Sequence, residues 1–310
     1  MENSLKILFA GCGDIGLRTI TKLQEVDSDS VWQVLAMRRN LAKLPINIDS
    51  VAGDVRDSDG LWALLEDKGI YALVVTLTPG SMNDEGYRDS YVMAAQSIKT
   101  AVEKCSQPPS LIIWVSSTGV YGQNEGERVD ELAEASPTSF RGKRLLEAES
   151  IVDSLSVASV VVRFSGIYGP GRNRLISQVK RGELASELPV AWTNRIHAED
   201  CAGVIAHLLG KFSRGEFLGK SYIATDNKPV PAYEVQNWLA NEMGLEPGEN
   251  SKGNEHSSSK HNSSDMNQPI KSRAGGRRCS NQRLLESGYK FLYPTYREGY
   301  RALLNEGTGD

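Results

Sequence analysis

The residues best suited to chemistry stand near the start of the chain, in Gly11-Cys12-Gly13-Asp14-Ile15-Gly16. Glycines at this spacing permit a tight turn and let backbone approach a pyrophosphate. A helix opening directly behind them supplies free N–H groups and a partial positive charge. The apolar run Leu5–Ala10 precedes the glycines and a helical pattern over 14–26 follows, which is the strand–turn–helix context this chemistry requires. Gly11, Gly13, Asp14, Ile15 and Gly16 are therefore read as the backbone cradle of a dinucleotide. A second pair, Arg38-Arg39, ends the next apolar run, with Arg38 22 residues beyond Gly16. An acid at that place would hydrogen-bond the ribose 2′-OH of NAD and repel a 2′-phosphate, whereas a guanidinium pairs with phosphate through two parallel hydrogen bonds. The chain reads Met37-Arg38-Arg39-Asn40, without an acid, and this predicts NADP (as NADPH) over NAD.

The elements that must position these groups alternate regularly. Strands are expected at Leu5–Ala10, 31–37, 48–52, 70–77, 111–115 and 157–163, separated by helices at 14–26, 57–67, 83–105 and 136–155. Ser136 followed by Pro137 is read as the cap and first turn of the last of these helices. Strict alternation implies a parallel sheet with helices on both faces. Later come helices at 200–209, 232–243 and 295–304 and a strand at 220–224. No internal repeat is present. Residues 247–265 contain no aliphatic, aromatic, Met or Cys residue and are expected to be mobile, in a polar insert running to about 278. His256 and His261 within it lack acid or Cys companions, so no metal site is inferred. The basic run Lys271, Arg273, Arg277, Arg278 is read as a solvated loop.

Composition narrows the class. The 310 residues carry 35 Lys+Arg against 39 Asp+Glu, so charge makes no case for nucleic acid or an anionic membrane as partner. Cys12, Cys105, Cys201 and Cys279 are scattered with no CxxC pair, which suggests neither a zinc site nor a disulfide framework. The N-terminal apolar run is too short for a signal-peptide core or a membrane span. A reduced, cytoplasmic protein is the expectation.

Further motifs resemble the short-chain dehydrogenase/reductase superfamily, in its extended or atypical NAD(P)-dependent epimerase/dehydratase branch. Gly53-Asp54-Val55 is similar to the family's loop after the third strand, where Asp54 and Val55 would meet adenine. Thr76-Leu77-Thr78-Pro79 falls where the fourth strand ends beside the cofactor. Val115-Ser116-Ser117-Thr118-Gly119-Val120-Tyr121-Gly122 resembles the fifth-strand motif, with Ser117 at the catalytic Ser/Thr position. Arg163, the run Ile167-Tyr168-Gly169-Pro170-Gly171-Arg172 and the run Arg195-Ile196-His197-Ala198-Glu199-Asp200 resemble later family segments. The resemblance implies an α/β fold, a Rossmann-type doubly wound parallel sheet with a smaller C-terminal substrate lobe. The division would be an NADP-binding domain over 1–165, to which about 195–225 returns, and a lobe formed mainly by 166–310. It also implies a small-molecule substrate and a homodimer through the helices at 84–105 and 136–155.

The departures bear on the reaction. No register yields the family's Tyr-x-x-x-Lys: aligning Glu147-Ala148-Glu149 puts Arg141 at the tyrosine and Leu145 at the lysine, and shifting by one puts Phe140 and Arg144 there. Arginine stays protonated and cannot trade a proton as a phenol does. Arg141 could still polarise an oxygen or bind an anionic substrate. Ser117 can act as a donor to a carbonyl or alkoxide, or satisfy backbone at a strand end. Tyr121 is the nearest phenol in sequence to Ser117, as a substitute acid or as a structural residue. His197 is read as a packing histidine. Gly166 stands where nucleotide-sugar enzymes of the family generally carry Asn. Two functions follow: an atypical NADP(H)-dependent oxidoreductase or epimerase acting on a small carbonyl or alcohol, with Ser117, Tyr121 and Arg141 as catalytic candidates, or a non-catalytic NADP(H)-binding sensor.

Overall fold

A computed structural model describes residues 4–25, 32–245 and 275–306. In chain order its first half holds β1 (Leu5–Ala10), α1 (Asp14–Glu25), β2 (Trp32–Arg38), β3 (Ser50–Ala52), α2 (Ser58–Lys68), β4 (Ala72–Val75), α3 (Asp84–Tyr87), α4 (Met93–Lys104), β5 (Leu111–Ser117), β6 (Glu125–Val129), α5 (Phe140–Asp153) and β7 (Ala158–Phe164). The second half holds β8 (Gly166–Tyr168), α6 (Arg174–Lys180), β9 (Trp192–Thr193), β10 (Arg195–His197), α7 (Ala198–Ser213), β11 (Ser221–Ala224), β12 (Val230–Pro231), α8 (Ala232–Glu242), β13 (Gly276–Cys279), α9 (Gln282–Glu286) and α10 (Tyr296–Glu306).

Seven strands form one parallel sheet in the order β3-β2-β1-β4-β5-β7-β11. Side chains alternate across it as the period of a strand demands. In β1, Leu8 and Ala10 enter the core beneath α2, α4 and α5, while Ile7 and Phe9 enter the core beneath α1 and α7. The order reverses between β1 and β4, and the crevice beyond the carboxyl ends of those strands is where an open α/β sheet binds its ligand. At the outer edge, Glu131 accepts from Ile223 N at 2.7 Å and Arg283 Nη1 donates to Ser221 O at 3.0 Å, which occupies groups an edge strand would leave free.

Three local features depart from the sequence expectations. The helix expected over 83–105 is interrupted by a π-helical turn at Arg88–Val92 between α3 and α4. This turn brings Ser90 Oγ to the N–H of Gly80, 3.1 Å away, in the loop after β4. The helix expected from Ser136 begins at Phe140, because the Oγ of Ser139 caps it by accepting from Gly142 N at 3.2 Å. The polar insert stops short of 278: Gly276–Cys279 is a strand paired with β6. Arg277 and Arg278 are half-buried rather than free in solvent, and their guanidinium groups bond backbone carbonyls of Thr118, Gln123 and Gly126. The remaining residues of that expectation, 247–274 with His256, His261, Lys271 and Arg273, lie outside the described residues.

A third core, with Val230, Val235, Leu239, Tyr168, Tyr296 and Tyr300, unites β8, α6, α8 and α10. Beside it Asp226 is 1% exposed; its Oδ1 accepts from Lys228 N at 3.0 Å and its Oδ2 has no partner among the described residues. Burial pushes this carboxyl up to about 7, against the attraction of Arg195. The folded protein therefore keeps a proton that the unfolded chain has lost, from the ordinary value of 3.8 up to about 7, and this group's contribution falls as pH rises through that window. Asp226→Asn should lack the effect. Urea melts should show the variant gaining roughly 3 kcal/mol on the parent between about pH 4.5 and 7.5. Parallel pH profiles for the two proteins would contradict the assignment.

Candidate active site

At the crevice between β1 and β4 the chain encloses a cavity of about 330 Å³. The glycine turn forms one wall. Gly11 has φ +70° and donates its N–H to Met37 O at 3.1 Å, which ties the turn to β2. Gly13 has neither a positive φ nor a close neighbour: a Cβ there would meet only Gly11 O, at 3.8 Å, and would otherwise project into free space. The fold itself does not require glycine at 13, so its bareness keeps room open in the cavity that it lines. An α-helix leaves its first N–H groups without intrahelical acceptors, and in α1 these belong to Asp14, Ile15 and Gly16. The Asp14 carboxylate turns aside to Arg18, at 2.9 Å, and to Arg172. Thr76 is buried behind the turn, with Oγ1 3.4 Å from Gly11 O.

Of the residues singled out from sequence, Gly11, Gly13, Arg38, Arg39, Asp54, Val55 and Thr78 line this one cavity. Asp14, Ile15 and Gly16, in the first turn of α1, and Thr76, bonded to Gly11, do not line it. The sequence reading missed Asn40, Lys43, Arg56 and Ser90, which also line it. Lys43 was signalled by Asn40, whose side chain caps the short turn Leu41–Lys43 by accepting from Ala42 N at 3.0 Å. Arg56 follows directly on Asp54-Val55.

The electrostatic balance of the cavity is positive. Arg56 pairs with Asp54 at 2.7 Å, and its hydrogen bonds hold that carboxyl below the ordinary carboxylate value. Asp89 lies 3.9 Å from the same guanidinium. Among the described residues no carboxylate lies within ion-pair distance of Arg38, Arg39 or Lys43. Arg38 Nη1 donates to Cys12 O at 3.2 Å, so this side chain braces the glycine turn while lining the cavity.

Ser117 is the last residue of β5 and does not line this cavity. Ser117 Oγ accepts from Gly119 N at 3.1 Å and so leaves its own proton available to an outside oxygen. Arg141 occupies the exposed first turn of α5, while Leu145 is buried. Tyr121 does not line the cavity. It is 1% exposed, and its hydroxyl accepts from Arg163 Nη1 at 2.8 Å. Arg163 pairs with Glu149 at 2.7 Å, and Ser116 donates to that same carboxylate at 2.5 Å. Burial pushes the phenol up to about 12, so it holds its proton within this network. His197 Nδ1 accepts from Glu199 N at 3.2 Å and caps α7, the packing role expected for it. Among the described residues no group of His, Cys, Asp and Glu could hold a metal ion, and no helix is long and apolar enough to cross a membrane.

A sequence profile of the RmlD substrate binding domain matches residues 7–307. No curated protein sequence matches the chain. Among solved structures, a Methylobacillus flagellatus protein described as an NAD-dependent epimerase/dehydratase is 35% identical, with 98% of this chain and 99% of that one covered and a TM-score of 0.76. The UDP-glucuronic acid 4-epimerase of Bacillus cereus, solved with UDP-glucuronic acid and NAD, shares the fold at 18% identity and TM-score 0.72, over 96% and 97% of the two chains. A human epimerase family protein solved with NADPH shares it at 16% identity and TM-score 0.66, over 94% and 96%.

Proposed function

The chain belongs to the NAD-dependent epimerase/dehydratase family of the extended short-chain dehydrogenase/reductases, and from that premise we propose that it binds NADP(H) and acts as an oxidoreductase or epimerase on a small carbonyl or alcohol. The observation that carries this reading is the cavity at the β1/β4 crevice, where the bare Gly13 adjoins three cationic side chains without ion-pair partners among the described residues. First-turn N–H groups of α1 would hold the pyrophosphate. Arg38, Arg39 and Lys43 would hold the 2′-phosphate, and Val55 and Asp54 would border the adenine. The nicotinamide, when bound, supplies hydride exchange at C4. Ser117 would donate its free proton to the substrate oxygen, and Arg141 would add positive charge where the family's phenol is missing.

If the protein turns over, Ser117→Ala should lower NADPH oxidation across a panel of small carbonyls at least tenfold, or about 1.4 kcal/mol. Undiminished turnover would remove Ser117 from the reaction. One observation favours a second reading, a sensor that binds NADP(H) without turnover: the phenol nearest to Ser117 in sequence, Tyr121, is locked in the core. Saturable NADPH binding with no oxidation by any carbonyl of the panel would select that reading.

A further inference from the structure

The guanidinium of Arg277 and the first turn of α5, which carries Arg141, meet the turn that begins at Ser117 from distant parts of the chain. Arg277, on β13, donates from Nη1 to Thr118 O at 2.6 Å and from Nε to Gln123 O at 2.9 Å. Arg141 adjoins Gly142, whose Cα packs against the carbonyl of Gly119 in the same turn. Its guanidinium lies 5.6 Å from the Phe140 ring and 6.0 Å from the Tyr87 ring. Among the described residues no carboxylate lies within ion-pair distance of either arginine, and nothing accepts from Arg277 Nη2. This is not the habit of the fold: one turn along α5, Arg144 pairs with Asp84 and Glu147, each at 2.8 Å. Glu127, the carboxylate that acts most strongly on Arg277, is turned to its own strand and accepts from Glu125 N at 2.8 Å. Arg277 is half-buried, and burial holds it below the ordinary guanidinium value. A desolvated cation fixed on two carbonyls, with a free amino group and no acid beside it, is a ready partner for an outside oxyanion.

We propose that Arg277 and Arg141 form an anion subsite beside Ser117, which takes an oxyacid group, carboxylate or phosphate, on the substrate. The substrate class narrows to compounds that carry this anion close to the reacting carbonyl or hydroxyl carbon. Arg141 then binds substrate where the family's tyrosine would move a proton. The proposal deepens the catalytic reading of Ser117 and rests on it for the identity of the ligand as substrate.

Oxalate, and inorganic phosphate in a second arm, should be titrated calorimetrically into the full chain at constant ionic strength, with and without NADPH. At least one should bind saturably, and which one does so identifies the group. Arg277→Gln and Arg141→Gln should each weaken that binding at least tenfold, with NADPH affinity changed less than twofold. Should Arg277→Gln fail to fold, Arg277→Lys, which keeps the charge but cannot span both carbonyls, should show the loss instead. Absence of saturable binding of both anions, or unchanged affinity in either arginine variant, would overturn the subsite. Oxalate binding without NADPH binding would uphold the subsite and defeat the cofactor reading; NADPH binding without anion binding would do the reverse.

Discussion

Arg38→Asp should cut NADPH affinity on the order of a hundredfold and leave NADH affinity nearly unchanged, so that any preference between the two disappears or reverses. The size follows from losing a charge-assisted pair with the 2′-phosphate and setting a carboxylate against it, together on the order of 3 kcal/mol. Arg38 also bonds Cys12 O, so loosening of the glycine turn is a competing consequence of the substitution. The two effects separate cleanly, because a loosened turn weakens both nucleotides alike. Arg39→Asp provides the control, since no bond from Arg39 to the turn accompanies it. Fluorescence titration of both variants with both nucleotides measures the result. Equal loss for NADPH and NADH would assign Arg38 to the turn alone.

The largest expected loss of stability comes from Glu149→Ala. The side chains of Glu149 and Arg163 are 5% and 11% exposed, and Ser116 also donates to the carboxylate. Removing the acid strands a buried guanidinium and a buried hydroxyl, which costs about 3–5 kcal/mol when one partner of such a pair is deleted. The same network holds Tyr121 in the core and ties α5, with Arg141 at its start, to β5 and β7. Urea denaturation should show the loss as a lower midpoint at unchanged slope. Glu149→Gln, which keeps an acceptor, should lose less. A loss below about 1 kcal/mol for the alanine variant would place the pair among surface ion pairs of little weight.

Where local pattern decides a structure, the sequence was a sufficient guide. The apolar run Leu5–Ala10 forms a strand with the expected bounds, and the glycine turn behind it sits at the expected crevice. Where tertiary contacts decide, it was not. Ser136 and Ser139 offer similar caps, and α5 starts after Ser139, whose Oγ accepts from the N–H of Gly142, the residue packed on the Gly119 carbonyl. Gly276–Cys279 has no apolar alternation to mark it as a strand. It is stabilised by side-chain bonds from Arg277 and Arg278 to carbonyls 152 to 159 residues away. For the same reason the sequence showed Arg277 as one of a basic run and not as a neighbour of Ser117. Tyr121 follows Ser117 closely in the chain, yet Arg163, on a strand packed beside it, draws its hydroxyl inward.

The central claim is that the glycine turn and the cations around it select NADP(H). Its most direct test is isothermal titration of the unmodified chain with NADPH and with NADH in the same buffer. The account predicts saturable binding of NADPH at least tenfold tighter than NADH, about 1.4 kcal/mol in its favour. Equal affinities, tighter binding of NADH, or binding of neither would contradict it.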